Sequence, residues 1–85
     1  MAEAIAVRVR FFARLRELAG TDSGALHVPP SSNVEDVYEA LRRQYAALPP
    51  VESVRAALNQ EFVEWGAEVS AGDEVAFIPP VSGGR

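Results

Sequence analysis

Cysteine and lysine are absent from the 85-residue sequence, and each absence excludes a class of chemistry. Without cysteine the chain has no disulfide bond, no thiol nucleophile and no thiolate ligand for a metal ion. Without lysine, only the N-terminal amine can accept an acyl group as an amide. His27 is the only histidine, with no cysteine beside it, so we predict a structural role for it. We expect no metal site and no catalytic triad.

Long apolar runs are also absent. No stretch approaches the roughly 20 apolar residues of a membrane span, and Met1 is not followed by a signal-peptide pattern. The net charge of −4 argues against a nucleic-acid surface, which needs an excess of positive charge. We therefore expect a cytoplasmic protein that binds neither nucleic acid nor a membrane.

The charge is unevenly distributed, with basic residues near the start and acidic residues in the second half. From Glu52 to Gly84, Arg55 is the only basic residue of the sequence. The acidic residues in this stretch are Glu52, Glu61, Glu64, Glu68, Asp73 and Glu74. They predict either a solvated surface or an acidic surface that steers a basic partner. Nothing places Glu61, Glu64 and Glu68 on one face, so they do not indicate a metal site.

Length and a hydrophobic share of 48% predict one folded domain with a single modest core. Alternating apolar residues from Ile5 to Phe11 predict a first strand. A helical turn is predicted at 13–19, and further strands are predicted at 25–28, 54–58, 62–63 and 74–78. A capping box with Ser32 as the cap and Glu35 as its partner predicts the start of the main helix, and Pro49-Pro50 its end near Leu48.

These elements predict an α+β fold. If the first and last strands pair centrally, with the helix across one face, the fold is a ubiquitin-like β-grasp with a mixed sheet of four or five strands. Periodicity alone leaves this as one topology among several. The predicted core is Val7, Val9, Phe11, Val37, Leu41, Leu58, Val75 and Phe77.

The last fourteen residues, GDEVAFIPPVSGGR, carry the most specific pattern. Proline has no N–H to donate to a sheet, so strand pairing should stop at Pro79-Pro80. Gly83 and Gly84 lack a Cβ atom, so their backbone can enter a channel too narrow for side chains. We predict a β-grasp domain at residues 1–79 and a flexible C-terminal diglycine tail at residues 80–85. A frayed end without a role is the alternative.

Three segments resemble the small subunits of molybdopterin synthase: RFFARLRELAG at 10–20, ALNQEFV at 57–63 and GDEVAFIPPVSGG at 72–84. The resemblance implies a sulfur carrier of molybdenum cofactor biosynthesis. In that family a ubiquitin-activating-type adenylyltransferase uses ATP to adenylate the C-terminal glycine carboxylate. A sulfurtransferase supplies sulfur for the thiocarboxylate. The large synthase subunit, expected in a heterotetramer, catalyses sulfur transfer to cyclic pyranopterin monophosphate.

The resemblance also assigns residues. Gly84, with Gly83 before it, carries the reacting carboxylate. The large subunit docks on an apolar patch to which Phe12, Phe62 and Ile78 correspond, although Ile78 replaces the more usual aromatic residue. The tail positions that enter the partner are Pro79, Pro80, Val81 and Ser82. The chain itself is expected to bind no cofactor and no metal.

One departure from the family is that Arg85 follows Gly84. A peptidase removes Arg85, or the residue is an addition to the natural sequence, or this copy is inactive or has another task. Two other functions stay open. The first is a related carrier that delivers sulfur to thiamine, a tungsten cofactor or an amino acid, or a ubiquitin-like protein modifier. The second is a non-covalent β-grasp interaction module.

Overall fold

The computed structural model describes residues 3–80 of the chain. Its elements in chain order are β1 (Ile5–Phe11), α1 (Arg14–Ala19), β2 (Ser23–Val28), α2 (Val34–Gln44), a 3-10 turn (Val51–Ser53), β3 (Arg55–Leu58), β4 (Glu61–Val63) and β5 (Glu74–Ile78). The strand order is β2-β1-β5-β3-β4, with β1 and β5 parallel and the other pairs antiparallel. The first and last strands are therefore neighbours inside a mixed sheet, and the predicted β-grasp fold is confirmed.

The core lies between one face of the sheet and α2. Side chains of β1 alternate between the two faces, because successive residues of a strand point to opposite sides. Val7, Val9 and Phe11 are accordingly buried, whereas Arg8 and Arg10 are exposed on the other face. Seven of the eight predicted core residues are buried. The eighth, Leu58, is only partly buried because β3 ends there.

The predicted cap of α2 is wrong by one residue. Asn33 is the N-cap, since its side-chain oxygen accepts a hydrogen bond from the Asp36 N–H at 2.8 Å and Asp36 Oδ2 accepts one from the Asn33 N–H at 2.9 Å. The Ser32 hydroxyl is buried and donates to the Pro29 carbonyl at 2.7 Å instead. Ser32 therefore holds the preceding loop, and Glu35 takes no part in the capping box.

The helix also ends earlier than predicted, at Gln44 rather than near Leu48. Tyr45 leaves the helical conformation, with φ −120° and ψ 88°. The residue before a proline avoids the helical region, so Leu48 does not continue the helix into Pro49. Leu48 is nevertheless buried, because the turn after the helix folds it back onto the core.

A tight turn at Asn59-Gln60 joins β3 to β4, and both residues have positive φ values, 50° and 75°. Asparagine tolerates this left-handed region better than most residues. The Asn59 side chain also donates to Asp73 Oδ1 at 3.1 Å and accepts from the Glu74 N–H at 3.0 Å. These bonds tie the turn to the start of β5, which positions the last strand in the sheet.

Within residues 3–80, no helix is both long enough and apolar enough to cross a membrane.

Candidate functional site

The sheet face turned away from α2 forms the candidate site, and we call it the open face. The pairing register places Arg10, Ala76, Ala57 and Phe62 in one row across four strands. A second row lies closer to the end of β5. The outward-facing residues of both rows and their neighbours, which define the open face, are Arg8, Arg10, Phe12, Arg55, Ala57, Phe62, Glu74, Ala76 and Ile78.

A groove of about 270 Å³ crosses the open face between Phe12 and Phe62. Its floor is formed by Ala57 and Ala76, which are nearly covered by their taller neighbours although they face outward. The two phenylalanines are the exposed large hydrophobic residues of the described chain, at 38% and 59% exposure. Exposed apolar walls around a concave floor are typical of a surface that receives a side chain of another protein.

The groove adjoins the place where the chain leaves the sheet. Phe12 follows β1 directly, and its N–H donates to the Phe77 carbonyl at 3.1 Å. This bond sets Phe12 beside Ile78, the last residue of β5 and a further wall of the groove. Pro79 and Pro80 come next and lie outside any strand, as their missing N–H groups predict.

The structure thus brings together the three predicted patch residues, Phe12, Phe62 and Ile78. Phe12 is exposed, whereas a fully buried Phe12 would have contradicted the predicted patch. Docking itself stays a prediction. The predicted tail residues Val81 and Ser82 and the diglycine Gly83-Gly84 lie outside the described residues.

Arginine and glutamate side chains border the groove. Glu74 lies between Arg8 and Arg10, with N···O distances of 3.9 and 3.7 Å. The guanidinium carbon of Arg10 lies 5.1 Å from the centre of the Phe12 ring, and that of Arg55 lies 4.4 Å from the centre of the Phe62 ring. Both distances are within the roughly 6 Å range of cation–π attraction.

Sequence reasoning missed four residues that line the groove: Arg10, Ala57, Gln60 and Ala76. The alternation of β1 contained a signal for Arg10, because Arg10 and Phe12 are two residues apart and share a face. Gln60 enters the groove from the turn after β3, where positive φ values set its direction. Hydrophobic periodicity gives no signal for such a residue.

Other residues considered from the sequence lie apart from this groove. His27 is exposed on the edge strand β2 and does not pack into the core, and its structural role stays a prediction. Glu61, Glu64 and Glu68 are exposed as well. Within residues 3–80, no group of three or more histidine, aspartate and glutamate side chains is arranged to hold a metal ion.

The acidic surface considered from the sequence is smaller than the sequence suggests. Glu74 is largely covered and paired with two arginines, so it does not present a free carboxylate. Arg10 and Glu74 both line the groove, and Glu64 lies with Arg55 in the adjoining depression.

Comparison with known proteins supports the architecture and the tail motif together. The model of the ThiS family matches residues 9–84. The chain is 38% identical to the molybdopterin synthase sulfur carrier subunit of Arabidopsis thaliana, over 94% of this chain and 84% of that protein. It is also 38% identical to the protein of the same name from Escherichia coli, over 92% of this chain and 99% of that one. The crystal structure of small archaeal modifier protein 1 from H. volcanii superposes with a TM-score of 0.82 at 28% identity, covering 91% and 99% of the two chains.

Proposed function

We propose, from the premise that this chain belongs to the ThiS family, that it is the sulfur carrier subunit of a molybdopterin synthase. In this role the chain is a non-catalytic small subunit that supplies sulfur for molybdenum cofactor biosynthesis. The large synthase subunit binds the open face and carries out the catalysis. The observation that carries the proposal is the position of the groove beside Ile78, where β5 ends and the segment leading to Gly84 begins.

The proposed chemistry acts at the carboxylate of Gly84. A carboxylate is a poor acyl donor at neutral pH, so it is first activated by an adenylyltransferase. A carboxylate oxygen attacks the α-phosphorus of ATP, pyrophosphate leaves, and an acyl-adenylate forms. The terminal sulfur of a persulfide on the sulfurtransferase then attacks the carbonyl carbon and expels AMP, which gives an acyl disulfide. A second thiol, supplied by another protein, cleaves the S–S bond of this disulfide and leaves a terminal thiocarboxylate. No cysteine of this chain is required at any step.

The sequence continues to Arg85, so Gly84 has a free carboxylate only after hydrolysis of the Gly84–Arg85 peptide bond. The channel admits glycine because glycine lacks a Cβ atom, so an arginine side chain does not fit in it. The proposal therefore includes removal of Arg85 before adenylation.

Activation of the same carboxylate for attachment to proteins is the second candidate function. The similarity to a protein named small archaeal modifier protein favours it, because that likeness also covers nearly the whole of both chains. In a modifier the acyl group is transferred to an amine, whereas in a carrier it takes up sulfur as a thiocarboxylate and then donates that sulfur.

The test compares three forms of the chain: the sequence ending at Arg85, the form ending at Gly84, and that form with Gly84→Ala. Each is incubated with ATP and with the adenylyltransferase and sulfur source of the same organism, and its intact mass is measured. We expect only the form ending at Gly84 to gain the mass of sulfur in place of oxygen. It should then support molybdopterin formation from cyclic pyranopterin monophosphate when the large subunit is added.

Phe12→Ala is the matched variant for docking. It should weaken binding of the large subunit by about 2 kcal/mol or more, because central aromatic residues carry much of an interface's energy. Adenylation of Gly84 should still occur in this variant.

Equal modification of the Arg85 and Gly84 forms would disprove the need for processing. If the Gly84 form is never adenylated, the interaction module replaces the carrier.

A further inference from the structure

The open face has a surplus of positive charge in a chain whose net charge is −4. Three arginines and one glutamate occupy outward positions of the central strands: Arg8, Arg10, Arg55 and Glu74. Glu74 is paired with both Arg8 and Arg10, and one carboxylate neutralises only one of these two cations. A positively charged surface on a negatively charged molecule favours a partner that presents negative charge to that surface.

Two arginines lie against the aromatic walls of the groove. Arg10 lies over Phe12 and lines the groove, whereas Arg55 lies over Phe62 and lines the adjoining depression on the other side of that ring. Stacking limits the motion of a long side chain before binding, so less conformational entropy is lost when the interface forms. The N–H groups of both arginines remain accessible, since both residues are exposed.

Neither guanidinium is fully neutralised within the described chain. Arg10 has Glu74 at 3.7 Å, a carboxylate that it shares with Arg8. No carboxylate of residues 3–80 lies within 4.0 Å of Arg55, although Glu64 borders the same part of the surface. Both arginines can therefore accept an additional acidic partner.

We propose that Arg10 and Arg55 determine partner specificity by pairing with carboxylates of the large synthase subunit on either side of an apolar side chain that fills the groove. This inference rests on the proposed function, which supplies the partner. A second copy of this chain is a poor occupant, because its open face has the same positive surplus. Nucleic acid is disfavoured by the net charge of −4.

The experiment measures the Kd of the Gly84-ended carrier for the large subunit of the same organism by calorimetry. The test variant is Arg10→Glu with Arg55→Glu. The control is Arg43→Glu, which makes the same change of charge as each single reversal, Arg10→Glu or Arg55→Glu, at an exposed arginine on α2. Titrations at about 50 and about 300 mM NaCl separate electrostatic from apolar contributions, because salt screens exposed charges.

We expect the double reversal to raise Kd about 100-fold at low salt, and to raise it less at high salt, because two attractive pairs become repulsive. Arg43→Glu should change Kd by less than about twofold. Arg10→Lys with Arg55→Lys should raise Kd only about threefold, since lysine keeps the charge and loses the planar stack. Circular dichroism tests whether the double variant folds. If it does not fold, the single reversals provide the same comparison.

A double reversal that binds within about twofold of the unmodified carrier would overturn this inference. If Phe12→Ala weakens binding in the same assay, the proposed function survives and docking depends on the apolar walls alone. If Phe12→Ala also has no effect and the Gly84 form donates no sulfur, the proposed function fails as well. Two other outcomes would also overturn the inference. The unmodified carrier could form a dimer, or it could bind an oligonucleotide, and the double reversal could abolish that binding; either result would assign the open face to another occupant.

Discussion

At the scale of single residues, Tyr38 shows how this small core accommodates a polar group. Its ring packs against Phe77 and Trp65, with ring centroids 4.8 and 5.5 Å apart. Its hydroxyl donates to the Pro49 carbonyl at 2.6 Å, which secures the chain after α2. Burial raises the pKa of Tyr38 from 10.0 to about 12, because the phenolate would lose its hydration.

This pKa predicts a loss of stability at high pH. The folded state holds the phenol proton more tightly than the unfolded state, so the contribution is complete below pH 10 and decreases as the pH rises from about 10 to about 12. A difference of about two pKa units corresponds to at most roughly 3 kcal/mol of unfolding free energy. The free energy of unfolding should be measured by urea titration across this range.

Tyr38→Phe is the control for this prediction. It removes the titrating group and leaves the Pro49 carbonyl without its donor, which should cost about 1–3 kcal/mol at neutral pH. The pH dependence between 10 and 12 should then become shallower than in the unmodified chain. Equal slopes for the two proteins would show that Tyr38 does not account for the alkaline loss.

At the scale of elements, α2 contributes to stability through one buried face. Val34, Val37, Tyr38 and Leu41 are buried, and helical spacing places them on the side that meets the sheet. The rest of α2 is partly or fully exposed, and Arg42 and Glu39 form an ion pair there at 3.3 Å. An exposed pair of this kind contributes little, so packing of the buried face dominates.

Leu41→Ala tests this face. It should lower the free energy of unfolding by about 2–5 kcal/mol, because it removes buried methyl groups and leaves a cavity. Ala40→Gly on the same helix is a comparison at a less buried position, where about 1 kcal/mol is expected from backbone entropy alone. Similar losses for the two variants in urea unfolding would contradict a core role for Leu41.

The elements also differ in how far the sequence could predict them. The alternation of β1 and the prolines that follow β2 and β5 gave strands and ends close to those observed, whereas Pro49-Pro50 placed the end of α2 later than Gln44. The cap of α2 was misplaced because Ser32, Asn33, Glu35 and Asp36 all suit a capping box. Only the loop, in which Ser32 bonds to Pro29, decides among them.

The candidate site could be predicted only in part. Family resemblance located Phe12, Phe62 and Ile78, and the predicted family is confirmed. The stacking of Arg55 on Phe62 depends on the antiparallel register of β3 and β4, which no local pattern contains. Pairing of Glu74 with Arg8 depends in the same way on the parallel register of β1 and β5.

At the scale of the whole molecule, the sheet depends on the pairing of β1 with β5, the two strands that are farthest apart in the sequence. β5 occupies the centre of the sheet and bonds to β1 on one side and to β3 on the other. Val75 and Phe77 of β5 are fully buried. Removing this strand would separate the β2-β1 pair from the β3-β4 pair and expose the core.

A chain that stops at Asp73 should therefore be unfolded, whereas a chain that stops at Pro80 should keep the domain. The reason is that isolated two-stranded pairs are at best marginally stable in water. Far-UV circular dichroism and the presence of a cooperative urea transition distinguish the two states. A cooperative transition in the chain ending at Asp73 would show that β5 is not essential for folding.

The central position of β5 has a consequence for synthesis. A nascent chain emerges from the ribosome in order, so β1, α2 and β3 are released before the strand that must lie between β1 and β3. Since native pairing awaits this strand, the domain can fold only after β5 has been released. A product truncated before β5 cannot form the groove, because Ala76 and Ile78 belong to that strand. Under the proposed function, an incomplete carrier would thus be unable to occupy the synthase in place of a complete one.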